Sequence, residues 1–283
     1  MTEGGPSDSG TPGDLPVRLV SGLPTGDLLD TVTVTVDLPV PAVALAVGAH
    51  PDDVEFGAGA TLAKWAAAGC QVHHVVLTDG SKGSWDPSAD LGALVAARLD
   101  ECRRAAVVLA GGDAGAADRV HALGYVDGEL VNGPDERRAV ARVIRTVRPD
   151  VLLGHDPWRR YRLHPDHRAA GFLTLDALVA ARDPHFLPEL GSAPHRPSGL
   201  LLWEADLPNH VERVADSGDL KLQALLCHHS QHESTMGVGP DDGDQPDGPD
   251  RAVFASRIAW QLAQHGAVAG LDAGEAFHLI DQL

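Results

Sequence analysis

The chain alternates between short apolar runs and longer segments with helical spacing. Runs such as 43–47 (VALAV) and 150–153 lack polar alternation, which is typical of strands buried on both faces of a parallel sheet. The pattern predicts strands at 30–37, 43–47, 72–77, near 120, 150–153, 199–203, 211–214 and 276–280, and helices at 59–68, 91–110, 134–148, 165–181, 219–228 and 252–265. This alternation predicts an α/β fold with a mostly parallel sheet flanked by helices in a single domain.

Two segments differ from this pattern. Residues 1–25 are rich in Gly, Pro, Ser, Thr and Asp, so we expect a disordered N-terminal tail followed by one domain over 26–283. Residues 237–250 (GVGPDDGDQPDGPD) are acidic and of low complexity, so we expect a mobile loop. The tail lacks a secretory signal and no apolar run reaches membrane-spanning length, which predicts a cytoplasmic protein.

Charge and cysteine content exclude several classes of partner and site. The formal net charge of −18 argues against binding to nucleic acid or to an anionic membrane surface. Cys70, Cys102 and Cys227 are widely spaced and form no Cys-x-x-Cys pattern. We therefore expect neither a disulfide framework nor a structural zinc site, and core packing for Cys70 and Cys102. The sequence leaves homo-oligomerisation open.

Two short strings carry the candidate chemistry, 50–53 (HPDD) and 164–167 (HPDH). Proline favours the first position of a helix, so each string is expected to start a helix with its first His as the cap residue. Residues three apart share a helix face, so each string can direct two side chains at one ion. Both strings follow predicted strands, and open α/β sheets bind ligands at the carboxyl ends of their strands.

These side chains are the components of a metal-assisted hydrolase. Two imidazoles and one carboxylate on a divalent ion leave a position for water, which is the pattern of catalytic rather than structural zinc sites. An uncoordinated Asp can take a proton from that water. An uncoordinated His can stabilise the oxyanion and protonate a leaving amine.

The two strings and their surroundings resemble the PIG-L/LmbE-like zinc-dependent N-acetylglucosaminyl deacetylases. The resemblance begins with 50–59 (HPDDVEFGAG) and keeps the family's order over about 42–236. Its further motifs are 78–83 (TDGSKG), Arg98 with Glu101, 123–128 (LGYVDG), 148–151 (RPDV), 164–168 (HPDHR) and 228–231 (HHSQ). It implies a Rossmann-like fold and a small-molecule substrate.

The resemblance also implies roles for individual residues. The implied ligands of one zinc ion are His50, Asp53 and His167. Asp52 is implied as the general base and His164 as the oxyanion stabiliser and general acid. Asp166 is implied to orient one of the histidines. Arg98 and Asp127 match positions that contact a sugar, although Arg98 could instead pair with Glu101 and Asp127 could be a turn residue.

The implied reaction removes an acetyl or other acyl group from an N-acyl amino sugar or a related glycoconjugate. A thiol precursor, a thiol S-conjugate, an antibiotic intermediate and a chitin-derived disaccharide all remain open as substrates, as do divalent ions other than zinc. Two alternatives are a non-haem Fe(II) enzyme that uses the same two His and one Asp, and a catalytically silent binding protein on the same fold. The strand–helix alternation argues against the first, and the complete set of ligands and base argues against the second.

Further histidines suggest a second metal site, which the sequence argues against. His73 and His74 are neighbours in a predicted strand and so project to opposite faces of the sheet. His228, His229 and His232 cluster at a predicted helix end. We therefore expect one metal ion per chain.

Overall fold

Eight strands and six α-helices are found in residues 34–239 and 248–283, the parts of the chain that the computed structural model describes. The strands are β1 (Thr35–Val36), β2 (Val43–Gly48), β3 (Gln71–Thr78), β4 (Val120–Tyr125), β5 (Val151–His155), β6 (Gly199–Trp203), β7 (His210–Arg213) and β8 (Gly274–Ile280). The helices are α1 (Asp53–Ala67), α2 (Leu91–Leu109), α3 (Pro134–Val147), α4 (Pro165–Arg182), α5 (Gly218–Leu225) and α6 (Pro249–Ala267).

Some predicted segments lie partly or wholly outside the residues that the structure describes. The tail predicted at 1–25 and the centre of the predicted acidic loop, 240–247, fall outside the described residues. Of the strand predicted at 30–37, the described part is the short β1 at the edge of the sheet. No helix within the two described ranges is long and apolar enough to cross a membrane.

The strands form one sheet in the order β1-β7-β8-β6-β5-β2-β3-β4. Strand β8 runs antiparallel to both of its neighbours, and every other pair is parallel. The predicted mostly parallel α/β fold is therefore confirmed. The sequence pattern does not reveal that β8 inserts between β6 and β7, because a strand's position in a sheet depends on pairing rather than on its own residues.

The core lies on both faces of the sheet. Leu45 and Val47 pack on the side covered by α3 and α4, whereas Ala44 and Ala46 pack on the side covered by α1. Burial on both faces explains the absence of polar alternation in β2. Each large apolar side chain buried in this way contributes about 1.5–3 kcal/mol to folding.

Helix α1 begins at Asp53 rather than at residue 59, so the predicted start was wrong. Gly57 and Gly59 have low helix propensity, so propensity alone does not predict the first two turns of α1. Gly57 is required for packing rather than for flexibility, because a Cβ atom there would overlap the ring of Trp203 in β6. The start at Asp53 matters because it places Asp53 and Glu55 in the first turn of a helix, where the helix dipole favours negative charge.

A buried ion pair holds α1 against α5 and β8. Lys221 of α5 donates from Nζ to Glu275 Oε1 at 2.6 Å and to the carbonyl of Phe56 at 2.7 Å. Both charged side chains are 1 % exposed. Glu275 also accepts from the backbone N–H groups of Ala60 and Thr61 in α1. The pair therefore connects three elements at the middle of the helix that carries the first string.

We expect Lys221→Met to lower the free energy of unfolding by about 3–5 kcal/mol, because it leaves the Glu275 carboxylate buried without its counter-charge. Denaturant unfolding followed by circular dichroism measures this loss. Arg104→Met is the control, because Arg104 pairs with Asp100 on an exposed surface of α2, where ion pairs contribute little to stability. Equal stability of the two variants would contradict the assigned role of the pair.

Candidate active site

The first string forms a sharp turn between β2 and α1. The N-cap residue of α1 is Asp52, not His50, so the predicted cap was wrong. The chain makes an extra turn here, in which the N–H of Asp53 donates to the carbonyl of His50 at 3.3 Å. Asp52 has a φ of 136°, a conformation that costs a non-glycine residue about 1–3 kcal/mol and that clusters at functional sites.

The second string starts α4 as predicted. His164 is the N-cap residue, and its Nδ1 accepts from the backbone N–H of Asp166 at 3.3 Å. Pro165 occupies the first helical position, and Asp166 lies in the first turn. His167 then follows one turn after the cap, so its imidazole faces the same side of the helix as that of His164.

The structure brings the three predicted metal ligands together. Nδ1 of His50 lies 3.3 Å from Oδ2 of Asp53 and 3.1 Å from Nε2 of His167. The same Nε2 lies 3.2 Å from Oδ1 of Asp53. A tetrahedral ion with bonds of about 2.0–2.1 Å holds its donor atoms roughly 3.3–3.4 Å apart. The three side chains therefore fit one divalent ion, and their role as its ligands stays a prediction.

Two carboxylates support His50 from its other side. Nε2 of His50 lies 3.2 Å from Oδ1 of Asp127 and 3.3 Å from Oδ2 of Asp166. A proton on Nε2 satisfies both carboxylates and leaves the lone pair of Nδ1 for an ion, which is the usual arrangement of a metal-binding His. Asp166 thus contacts His50, and its role in orienting a histidine stays a prediction. Asp127 is buried against His50, lines the cavity described below and accepts from the N–H of Lys82, and its contact with a sugar also stays a prediction.

The electrostatics of this cluster favour a positive charge. Burial lowers the pKa of His50, but Asp127, Asp166 and Asp53 outweigh that effect and raise it to about 12. Burial raises the pKa of Asp53, but His167 and His155 hold it well below its usual range. The cluster therefore attracts either a proton or a metal cation, and the two compete for the same lone pairs.

His155 belongs to the site, although sequence reasoning did not single it out. It ends β5, is 1 % exposed, and stacks on the His167 ring with centroids 4.5 Å apart. The indole N–H of Trp203 donates to Nδ1 of His155 at 3.0 Å, and Nε2 lies 3.3 Å from Oδ2 of Asp53 and 3.4 Å from the backbone nitrogen of Ala49. A polar residue at the end of an otherwise apolar strand was the available signal.

Asp52 is buried beside Arg98. Burial raises the pKa of Asp52 to about 6, while the Arg98 guanidinium, with Nη2 at 3.5 Å from Oδ2, acts in the opposite direction. Arg98 also donates to the carbonyls of Gly80 and Pro51. Glu101 does not take part and instead accepts from the N–H and hydroxyl of Ser230. Arg98 therefore fixes the position of Asp52, which is compatible with its predicted contact to a substrate.

A cavity of about 560 Å³ opens onto these groups. Its lining includes five residues of the two strings, namely His50, Asp52, Asp53, His164 and His167. Its remaining walls include side chains from outside both strings: Phe56, Lys82, Glu204, Gln231, Arg257 and Gln261. This volume lies within the range of about 300–1,000 Å³ that is usual for small-molecule sites.

Comparisons with known proteins place this geometry in a family. Residues 45–178 match the PIG-L profile, described as GlcNAc-PI de-N-acetylase. A diacetylchitobiose deacetylase from Thermococcus kodakarensis is 35% identical over 190 residues, which cover 66% of this chain and 69% of that protein. A 1D-myo-inositol 2-acetamido-2-deoxy-alpha-D-glucopyranoside deacetylase from Streptomyces avermitilis is 36% identical over 213 residues, covering 67% and 68%. The chain belongs to the PIG-L family.

Solved structures agree with this assignment to the PIG-L family. The N,N'-diacetylchitobiose deacetylase from Pyrococcus horikoshii superposes with a TM-score of 0.73 at 27% identity, covering 85% of this chain and 84% of that one. The conserved protein TT1542 from Thermus thermophilus superposes with a TM-score of 0.63, also at 27% identity. The profile match at 45–178 includes both strings, whereas α5, α6 and β8 lie beyond it.

Arg162 gives this PIG-L protein one contact that opposes metal binding. Its guanidinium donates to Nδ1 of His167 at 2.9 Å, and it also pairs with Glu204. A neutral imidazole that accepts at Nδ1 carries its proton on Nε2, and Nε2 can bind an ion only without that proton. The neighbouring Tyr161 is 94 % exposed and has a φ of 61°.

We expect His155→Ala to weaken zinc binding by about 10–100-fold, because partners that orient a metal ligand contribute this much to affinity. Competition with a chromophoric zinc chelator measures the dissociation constant without any assay of activity. Arg162→Met is the matched control, since it removes a partner of His167 that opposes metal binding, and it should bind zinc at least as tightly as the unmodified protein. An unchanged dissociation constant in His155→Ala would rule out the positioning role.

Proposed function

We propose that this protein is a zinc-dependent N-deacetylase that hydrolyses the acetamide of a small N-acetylglucosamine-containing molecule. The observation that carries the proposal is the grouping of His50, Asp53 and His167 with a base and an acid in the same cavity. Membership of the PIG-L family and the deacetylase names of the relatives support it.

The donor set suits zinc. Two imidazoles and one carboxylate leave an open coordination position, as catalytic zinc sites do, although other divalent ions accept the same donors. Bound there, zinc would lower the pKa of a water molecule towards about 7 and polarise the acetamide carbonyl. His50, Asp53 and His167 would hold it, and Asp127, Asp166 and His155 would keep those ligands in place.

Asp52 is proposed as the general base. Its carboxylate lines the cavity, and its strained backbone and the nearby Arg98 hold it in one position. A base is most effective when its pKa lies near the working pH, and burial moves the pKa of Asp52 in that direction. Asp52 would take a proton from the water whose oxygen attacks the acetyl carbon.

His164 is proposed as the general acid. Its ring lies edge-on to His50, with centroids 4.5 Å apart, so it borders the position that the acetamide would occupy. Because Nδ1 accepts from the N–H of Asp166, the neutral ring carries its proton on Nε2. That N–H would stabilise the oxyanion. To act as the general acid, the ring would take up a second proton at Nδ1 in place of its contact with the N–H of Asp166, and it would then pass the Nε2 proton to the leaving nitrogen and end as a neutral imidazole. The carbon–nitrogen bond breaks, and the products are acetate and a free amino sugar.

The relatives narrow the choice of substrate. One acts on diacetylchitobiose and another on N-acetylglucosamine linked to inositol, so they differ in the group attached to the reacting sugar. The cavity extends from the proposed reaction centre to Phe56, Arg257 and Gln261, which leaves room for such a group. We therefore propose a substrate with an N-acetylglucosamine unit and one further polar moiety. Thiol conjugates and antibiotic intermediates remain within this class.

Asp52→Asn is expected to keep zinc but to lower the turnover number by about 10²–10⁴-fold, because the amide cannot accept the proton. Acetate release measures turnover, and metal analysis of the same sample measures zinc. Asp100→Asn on the exposed face of α2 is the control variant and should behave as the unmodified protein does. Near-normal turnover in zinc-loaded Asp52→Asn would eliminate Asp52 as the base.

The proposed reaction is tested most directly by measuring acetate and free amine from a panel of N-acetylglucosaminides. Zinc-loaded protein should release both in equal amounts, chelation should abolish the release, and added zinc should restore it. His50→Ala should neither retain the ion nor respond to added zinc. Absence of release from every member of the panel by protein with zinc demonstrably bound would overturn the proposed substrate class.

A further inference from the structure

Four buried side chains with metal-binding atoms converge away from the catalytic cavity. They come from four separate elements, namely Glu55 in α1, His74 in β3, Cys102 in α2 and His228 after α5. Each is at most 1 % exposed, and none lines the cavity. Such a group is unusual because carboxylates in protein interiors are almost always paired.

Each histidine of the group lies close to a different oxygen of Glu55. Oε1 of Glu55 lies 3.6 Å from Nδ1 of His74, and Oε2 lies 3.5 Å from Nε2 of His228. One donor atom each from Glu55, His74 and Cys102 lie within 4.8 Å of one another. The two separations between Glu55 and the histidines are close to the donor spacing around zinc, whose bonds to nitrogen and oxygen are about 2.0–2.2 Å.

The polar atoms of the group have no other hydrogen-bond partner. Both carboxylate oxygens of Glu55, Nδ1 of His74 and both ring nitrogens of His228 are buried without one. Leaving several buried polar atoms unsatisfied costs free energy at each of them. A cation held by Glu55, His74 and Cys102, with His228 at the second carboxylate oxygen of Glu55, would give these atoms a partner.

The charge balance favours a divalent cation in particular. A Cys102 thiolate and a Glu55 carboxylate supply two negative charges, and neutral His74 and His228 supply none. A divalent ion bound to these four groups forms a neutral unit, which avoids the large cost of burying net charge. Four protein ligands also leave no position for water, and that closed set is the pattern of structural zinc sites.

We propose that Glu55, His74, Cys102 and His228 bind a structural zinc ion that is separate from the ion of the proposed active site. This departs from the expectation of one ion per chain. His73 and His74 do face opposite sides of the sheet, since His73 stacks on His121, but one histidine of the pair is enough when glutamate, cysteine and His228 complete the set. The ion would tie α1 to β3, α2 and the segment after α5.

Cys102 allows the two sites to be distinguished, because the proposed active site contains no sulfur. Protein loaded with Co²⁺ should contain two ions per chain and show the intense near-ultraviolet charge-transfer band of a cobalt thiolate. Cys102→Ser should lose the band and one ion. His50→Ala should lose one ion and keep the band, and Cys227→Ser, at a partly exposed thiol outside the group, should keep both.

If Cys102→Ser fails to fold, the cobalt content and the absorption spectrum of the unmodified protein still test the structural site. One cobalt ion per chain and no thiolate band would overturn the structural site and would leave Glu55 in an ion pair with a protonated His228. A band that persists in folded Cys102→Ser would overturn it as well. Neither result depends on deacetylase activity, so this inference can fail while the proposed function stands.

Discussion

The parallel pairing of β2 with β5 is the constraint from which the candidate site follows. Ala44 pairs with Val151 and Val47 with Gly154, so the carboxyl ends of two strands separated by about a hundred residues meet at one edge. The chain then leaves β2 through α1 on one face and leaves β5 through α4 on the other. The divergence of the two connections opens a crevice there. Asp53 and His155 lie 3.3 Å apart for that reason.

The same crevice concentrates charge that the fold must balance. Three carboxylates surround His50, and a fourth, on Asp52, lies next to Asp53 along the chain. Like charges at this spacing oppose folding unless cations or hydrogen bonds offset them. Backbone N–H groups of Gly128 and Leu130 donate to Asp166, and Arg98 lies against Asp52. Each acidic group is thus held by specific donors, which leaves the inner edge of the cluster available to an ion.

Local sequence patterns predicted most of this fold but not all of the site. Periodicity identified the buried strands and the end of α2, and the motif strings identified His50, Asp53 and His167 as neighbours. The start of α1 was missed because glycine at position 57 lowers the helix propensity there. That glycine is needed for close packing against the ring of Trp203, which lies more than a hundred residues away in the sequence. His155 was missed for a related reason. The sequence shows only a histidine at a strand end. Its place in the site depends on Asp53, which follows the neighbouring strand β2 and lies beside it.

The grouping of His74 and His228 around Glu55 also depends on contacts that local sequence patterns do not predict. Alternation along β3 correctly assigns His73 and His74 to opposite faces, but it does not report which side chains the helices bring to each face. Glu55 meets His74 because α1 crosses β3, and His228 meets Glu55 because α5 packs on α1.

The first turn of α1 is therefore the element on which both candidate metal sites depend. Asp53 and Glu55 are two positions apart, and residues two apart on a helix point in different directions. Asp53 joins the crevice, and Glu55 joins the buried group. A shift of α1 along its axis would displace a carboxylate from each group together. The buried Lys221–Glu275 pair, bound to the backbone of the same helix, opposes that shift. The contacts that stabilise α1 thus also maintain the geometry of the candidate active site.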